Sequence, residues 1–420
     1  MASKELILTF LGTGAMRPAF RRGTSAIGAY IPTMTGSENW LFDCGEGTYR
    51  QMCVFNKMTK RRGMGSENQS ILDMHRIGCN KLNRIFITHM HGDHLFGLSS
   101  VILGIGFERN HQELRNASLS IYGPVGLTEY LSTCFRTCSC KLYYPLNIYE
   151  LCRKDQHCGM LSPSDLNYSF IHPHSLYPDE NGYWECVNES FGRVFAGSLS
   201  HTITTFGYSY FEANQSGTIH AEAVLPLLKK NEAALGERGI NIYDILKRFK
   251  KGEGFLLPDG SALDPSNRAL LSEEKKGRHV TILGDTRNAR RMGDLVRKSD
   301  VLVHEATIGP ILQDVIPKEG MTRLSLEDAE VNQLSELKAV EKSAHIKGHS
   351  TALDAGAFAK EMEVKRLVLN HISNRYDFLD DAHYREAMAA IKEVASREYG
   401  SPNVFIPDDL QSFILDGIKR

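Results

Sequence analysis

Short apolar runs that stop at polar, glycine-rich turns recur along this chain of 420 residues. Residues 6–10 run into Gly12-Thr13-Gly14, residues 40–42 into Asp43-Cys44-Gly45-Glu46-Gly47, and residues 118–122 into Gly123-Pro124. β-Branched and aromatic runs of this length, bounded by turn residues, predict buried strands. Five more specific cases share a further feature. Residues 84–87 lead to His89, 194–197 to His201, 280–283 to Asp285, 301–303 to His304-Glu305, and 367–369 to His371. Segments with helical apolar spacing alternate with these strands, at 95–106, 292–298, 326–341, 352–362 and 382–399. The alternation predicts an α/β fold with helices covering buried sheets. Open α/β folds place their sites at the carboxyl ends of strands, which is where these His, Asp and Glu residues fall.

Between the regular parts lie less patterned stretches. Residues 55–82 read as a polar surface loop with one short helix, and 150–192 as loop and hairpin with His172 and His174 on the surface. Residues 213–235 are polar and helix-prone, and 254–260 read as a hairpin turning at Pro258-Asp259-Gly260. The length alone suggests two or three domains. The spread of ligand-type residues from 89 to 371 argues instead for one continuous catalytic domain.

Composition changes the picture in three ways. No apolar stretch reaches membrane-spanning length, and the apolar start of the chain is read as a first strand, not a leader. Nine cysteines without framework spacing point to a reducing compartment, cytoplasmic or nuclear. Cys134, Cys138 and Cys140 fit no ordinary zinc framework and are expected to be free thiols. A net charge of −1 means that any nucleic-acid partner must be met by locally concentrated cations.

The densest chemistry is Thr88-His89-Met90-His91-Gly92-Asp93-His94, directly after an apolar strand. Alternate residues of an extended segment point to one side, so His89 and His91 can face one point. Gly92 allows a bend that turns Asp93 and His94 toward a second centre. Imidazole and carboxylate suit zinc, and two close metals suit phosphoester hydrolysis. The string resembles the signature of the metallo-β-lactamase superfamily, which by itself does not choose among lactamase, glyoxalase, phosphodiesterase and nuclease.

An ordered set of further blocks does choose. It runs through Phe10-Leu-Gly-Thr-Gly14, Phe42-Asp-Cys-Gly-Glu-Gly-Thr48, Ile121-Tyr-Gly-Pro124 and His201 with Gly207-Tyr208. It continues through Gly284-Asp-Thr-Arg287, His304-Glu-Ala-Thr307, Gly348-His-Ser-Thr351 and His371-x-Ser373-x-Arg375-Tyr376. In this order the blocks resemble the tRNase Z family, endonucleases that remove 3′ trailers from precursor tRNA and leave a 3′-hydroxyl. The resemblance implies a metallo-β-lactamase-like αβ/βα sandwich forming a single catalytic domain over residues 1–420. It also implies an inserted, protruding substrate-binding arm over 213–260 and two zinc ions per chain. His89, His91 and His201 would hold one zinc, Asp93, His94 and His371 the other, and Asp285 would bridge them. Asp93 would also act as general base.

Glu305 and His349 admit a structural reading, as a buried ion pair or a prop for a ligand. They also admit a functional one, in which Glu305 orients His349 to protonate the departing ribose oxygen. The resemblance favours the second. The basic run Lys247, Arg248, Lys250 and Lys251 falls within the arm and is expected to contact RNA phosphates. The chain also departs from the family. The loop Pro18-Ala-Phe-Arg-Arg-Gly23 lacks the Lys and Asn of a Pro-x-Lys-x-Arg-Asn loop, and residues 236–246 lack the Gly-Pro pair of the arm's tip. The partner implied is precursor tRNA, with no membrane and with a homodimer left open. The alternative function is that of another binuclear-zinc phosphodiesterase of the superfamily.

Overall fold

Apolar runs bounded by glycine turns become strands buried on both faces, which is why they read as continuous rather than alternating. The computed structural model describes residues 5–62, 77–108, 118–311, 314 and 326–415. They form two compact units, one of Met1–Phe211 with His279–Lys419 and one of Glu212–Arg278.

The first unit opens with strands β1 (Leu6–Gly12), β2 (Ala26–Pro32) and β3 (Ser37–Phe42), then helix α1 (Thr48–Arg62). Next come β4 (Leu82–Phe86), α2 (Gly92–Leu95), α3 (Leu98–Glu108), β5 (Leu119–Pro124), α4 (Leu127–Thr137), β6 (Leu146–Leu151) and β7 (Ile171–Leu176). The chain goes on through β8 (Trp184–Glu189), β9 (Gly192–Leu199) and β10 (Thr205–Glu212). In the second unit α5 (Ala221–Lys230), α6 (Glu232–Glu237) and α7 (Ile242–Lys250) precede the hairpin β11 (Phe255–Leu256) and β12 (Ala262–Leu263). The first unit then resumes with β13 (His279–Leu283), α8 (Gly293–Val296), β14 (Val301–Glu305), α9 (Leu326–Ile346) and α10 (Ala352–Glu361). It ends with β15 (Leu367–Asn370), α11 (Asp381–Tyr399), β16 (Val404–Phe405) and β17 (Gln411–Leu415).

Its strands build two sheets, ordered β17-β1-β2-β3-β4-β5-β6-β7 and β16-β15-β14-β13-β10-β9-β8. Trp40, Phe42 and Phe86 of one sheet pack with Tyr208, Tyr210, Val280 and Val303 of the other in a shared core. A second core joins the outer face of the first sheet to α1, α3 and α4. A third joins the outer face of the other sheet to α10 and α11. This is the helix–sheet–sheet–helix sandwich that the resemblance implied. β3 to β7 run parallel, as do β13 to β16. β10 and β13 pair antiparallel, with Phe211 opposite His279.

Two sequence expectations need correction. Residues 150–192 hold more than loop and the β8–β9 hairpin, because 171–176 add an eighth strand to the first sheet, β7, parallel to β6. Like His172 on the same face of the strand, His174 is exposed, as expected. It ends a ladder of stacked rings through Phe42, Phe86, Tyr122 and Tyr149, with its own ring 4.7 Å from that of Tyr149. The polar stretch from 55 begins inside α1, a 15-residue helix whose Met52, Phe55 and Thr59 face inward. The rest of that stretch, residues 63–76, lies outside the described residues.

The second unit has its own core of Val224, Leu228, Leu235, Ile245, Phe249 and Leu263. It extends past residue 260 because Ile219 bridges to Leu271, Gln215 to Lys275, and a buried Arg278–Glu212 ion pair closes it. Asn241 caps α7 by accepting the Tyr243 N–H. That helix turns Ile245 and Phe249 inward and leaves Lys247, Arg248 and Lys250 exposed, with Lys251 exposed at its end. Among the described residues no helix is long and apolar enough to cross a membrane.

Candidate metal centre and active site

β4 stops at Phe86, and Thr88 then anchors the next turn by donating both its N–H (2.7 Å) and its hydroxyl (2.8 Å) to Asp43. Gly92 leaves room there for the Phe96 ring, which a Cβ would approach to 2.3 Å. The one-turn helix α2 that follows swings Asp93 and His94 away from His89 and His91.

Two groups of side chains result. In the first, His91 Nδ1 lies 3.1 Å from His89 Nε2 and 3.3 Å from His201 Nε2. In the second, His371 Nε2 lies 3.3 Å from both His94 Nε2 and Asp93 Oδ2. Asp285 stands between them. Its Oδ2 is 3.7 Å from His89, 3.9 Å from His201 and 3.4 Å from His371, and its Oδ1 is 3.5 Å from His94. β4, β9, β13 and β15 thus each deliver a group just beyond their carboxyl ends.

The far nitrogens of the rings are tied down. The Thr88 hydroxyl spends its proton on Asp43, so the His89 Nδ1–H, 3.0 Å away, must donate to it. The Thr307 hydroxyl likewise donates to Glu305 and accepts from His371 Nδ1 at 2.8 Å. His94 donates Nδ1–H to Asp43 at 2.6 Å, and His201 to the Gly348 carbonyl at 2.7 Å. These four imidazoles therefore turn Nε2 inward, the orientation that a metal ligand needs. Burial holds His89 and His91 below the ordinary histidine pKa, so both are neutral and able to ligate. Burial opposes ionisation of Asp93, but the His371 hydrogen bond and the charge of His94 outweigh it and hold the carboxyl well below the usual range. Asp93 Oδ2 also accepts the Met16 N–H at 2.6 Å. A cage of five imidazoles and two carboxylates fits a metal site.

Glu305, at the end of β14, is buried and accepts from the Thr286 N–H and the Thr307 hydroxyl. His349 Nδ1 lies 3.1 Å from Glu305 and 3.6 Å from Asp285. Burial works against protonation of His349, but Glu305 and Asp285 reverse it and raise the imidazole to about 9. The segment carrying His349 is fixed at its end by Thr351 and Asp354, which cap α10 reciprocally, an arrangement worth about 1 kcal/mol. The four basic residues expected to meet RNA belong to the second unit, where Arg248 is paired with Glu253 at 2.7 Å.

Sequence reasoning missed Asp43, Thr88, Thr286 and Thr307, which hold the ligands and Glu305. Asp43 carried a usable signal, for it ends an apolar run as Asp285 does. The cysteines at 134, 138 and 140 are free.

No family model matches the chain. Among curated proteins, ribonuclease Z of Streptococcus agalactiae serotype V is 31% identical over 369 residues, 88% of this chain and 90% of that one. Ribonuclease Z of Streptococcus equi subsp. zooepidemicus is 30% identical over 408 residues, 97% of this chain and 99% of that one. Among solved structures, the short form of human tRNase Z shares the fold at a TM-score of 0.53 and 24% identity, covering 97% of this chain and 98% of that one. Identity at this level, sustained along nearly all of both sequences, makes the chain a member of the ribonuclease Z family.

Proposed function

We propose that the chain is a zinc-dependent endoribonuclease that removes the 3′ trailer from precursor tRNA and leaves a 3′-hydroxyl on the tRNA. The observation that carries this reading is the pair of adjoining ligand groups sharing Asp285, in a chain of the ribonuclease Z family. His89, His91 and His201 would hold one zinc, Asp93, His94 and His371 the other, with Asp285 common to both. When bound, the two ions supply Lewis acidity that activates water near neutral pH and offsets charge developing on the phosphate.

The chain's own residues do the rest. Asp93, held ionised, accepts the proton of the attacking water. His349 carries a proton at neutral pH and delivers it to the departing ribose oxygen. Glu305, fixed by Thr286 and Thr307, keeps that imidazole charged and aimed. Lys247, Arg248, Lys250 and Lys251 contact phosphates remote from the chemistry. A cytoplasmic or nuclear setting belongs to the same reading.

Incubating the purified, zinc-supplied protein with a precursor tRNA and mapping the new ends tests it. A single cut at the trailer boundary, with a 3′-hydroxyl on the tRNA and a 5′-phosphate on the trailer, is expected. Hydrolysis of small cyclic nucleotides without that cut would overturn it in favour of another binuclear-zinc phosphodiesterase.

A further inference from the structure

Two residues beyond Asp285, Arg287 is an exposed cation that no carboxylate pairs with among the described residues. Two other arginines of this region differ from it. Arg290 pairs with Glu361 at 2.9 Å, and Arg375, the arginine that follows His371, pairs with Asp314 at 3.0 Å. Arg287 is nevertheless held in place. Its main-chain N–H donates to the Ser200 carbonyl at 2.9 Å, and its Nε to the Ser200 hydroxyl at 3.3 Å. Ser200 in turn gives its N–H to the Thr286 hydroxyl at 3.2 Å. The guanidinium is thus tethered one residue from His201 and two from Asp285. The tether uses only Nε, which leaves the two terminal nitrogens as a fork suited to a phosphate.

The flank matters. His201 bonds the Gly348 carbonyl, next to His349, and the rings of His201 and His349 are 5.1 Å apart. Arg287 therefore emerges on the side of the centre that carries His349. On the proposed function, which this inference rests on, His349 protonates the ribose oxygen that leaves with the tRNA, while the scissile phosphoryl group stays on the trailer. The next phosphate of the tRNA strand, on the 5′ side of that ribose, lies on the same flank. We propose that Arg287 binds this phosphate and so fixes the mature 3′ nucleotide of the tRNA against the metal centre.

The test uses the zinc-loaded protein, Arg287→Ala and Arg287→Lys. Two precursor tRNAs are compared, one natural and one with a neutral methylphosphonate at the first linkage 5′ of the departing ribose. One charge-assisted contact predicts that Arg287→Ala lowers kcat/KM on the natural precursor by about 10- to 100-fold. Arg287→Lys should recover part of the loss, since a lysine keeps the charge without the fork. The methylphosphonate should slow the unaltered protein to a similar degree and slow Arg287→Ala little further. The loss on bis(p-nitrophenyl) phosphate, which has no second phosphate, should be at least about tenfold smaller than on tRNA.

An Arg287→Ala protein that remains as sensitive to the methylphosphonate as the parent would overturn the assignment. So would equal losses on tRNA and on the small diester, which would make Arg287 a support for the metal centre instead. Failure of the parent to cut the natural precursor at the trailer boundary would be a different result, and it would overturn the function on which the assignment rests.

Discussion

The Asp43 carboxylate, 2.6 Å from Nδ1 of His94, also takes both the N–H and the hydroxyl of Thr88. One buried carboxylate thus orients His94 in one candidate metal group and, through Thr88, His89 in the other. Asp43→Asn should weaken metal retention by about 10- to 100-fold, since an amide cannot accept from all three donors. Asparagine is the informative replacement because Asp43 has φ 58°, a left-handed conformation that asparagine tolerates. Chelator competition measures the change. Unaltered zinc affinity would remove Asp43 from the site.

Asp285 and the six residues gathered around it predict two zinc ions per chain and activity that a chelator abolishes and added zinc restores. Asp93→Ala should eliminate cleavage while RNA binding persists, because phosphate contacts elsewhere hold the RNA. Metal content must be followed in parallel, as Asp93 is both ligand and proton acceptor in this reading. Saturation at one ion per chain, or near-normal turnover without Asp93, would break the assignment.

His349→Ala should reduce turnover by about 10²–10⁴-fold with metal content unchanged. The sign of the pH effect follows from the protonated imidazole being the donor. The rate should fall as pH rises through the His349 value, raised to about 9 by Glu305 and Asp285, and the alanine variant should lack that alkaline limb. Loss of zinc in the variant would instead assign His349 a supporting role.

Replacing Lys247, Arg248, Lys250 and Lys251 with alanine should weaken precursor-tRNA binding and flatten its salt dependence. Lys247, Lys250 and Lys251 should contribute more than Arg248, whose charge Glu253 already answers. Hydrolysis of bis(p-nitrophenyl) phosphate should barely change. Wild-type affinity and salt slope in the variant would rule out this run as a recognition element.

Much of the sandwich was legible because strands buried on both faces leave an unbroken apolar signature, as at 280–283 and 301–303. The metal string was legible because His89, His91, Asp93 and His94 are close in sequence. What held them was not, since Asp43 reaches His94 and Thr307 reaches His371 only through the folded chain. The ring ladder that His174 joins was not legible either, since the Tyr149 ring beside it belongs to another strand. α1 was read short because charged residues mask its inward face, although Met52, Phe55 and Thr59 keep helical spacing.

The chain leaves the second sheet at Phe211 and returns at His279, and these two residues face each other on one rung of β10 and β13, their rings 4.1 Å apart. An excursion that starts and finishes on the same rung makes no demand on the sheet beyond closing a loop, and that entropic cost rises only with the logarithm of its length. Nature can therefore lengthen, trim or exchange the segment from Glu212 to Arg278 while the ladder beside it stays in register. If that segment selects the RNA, as proposed, the choice of RNA and the means of cutting it are free to evolve on separate schedules within one polypeptide.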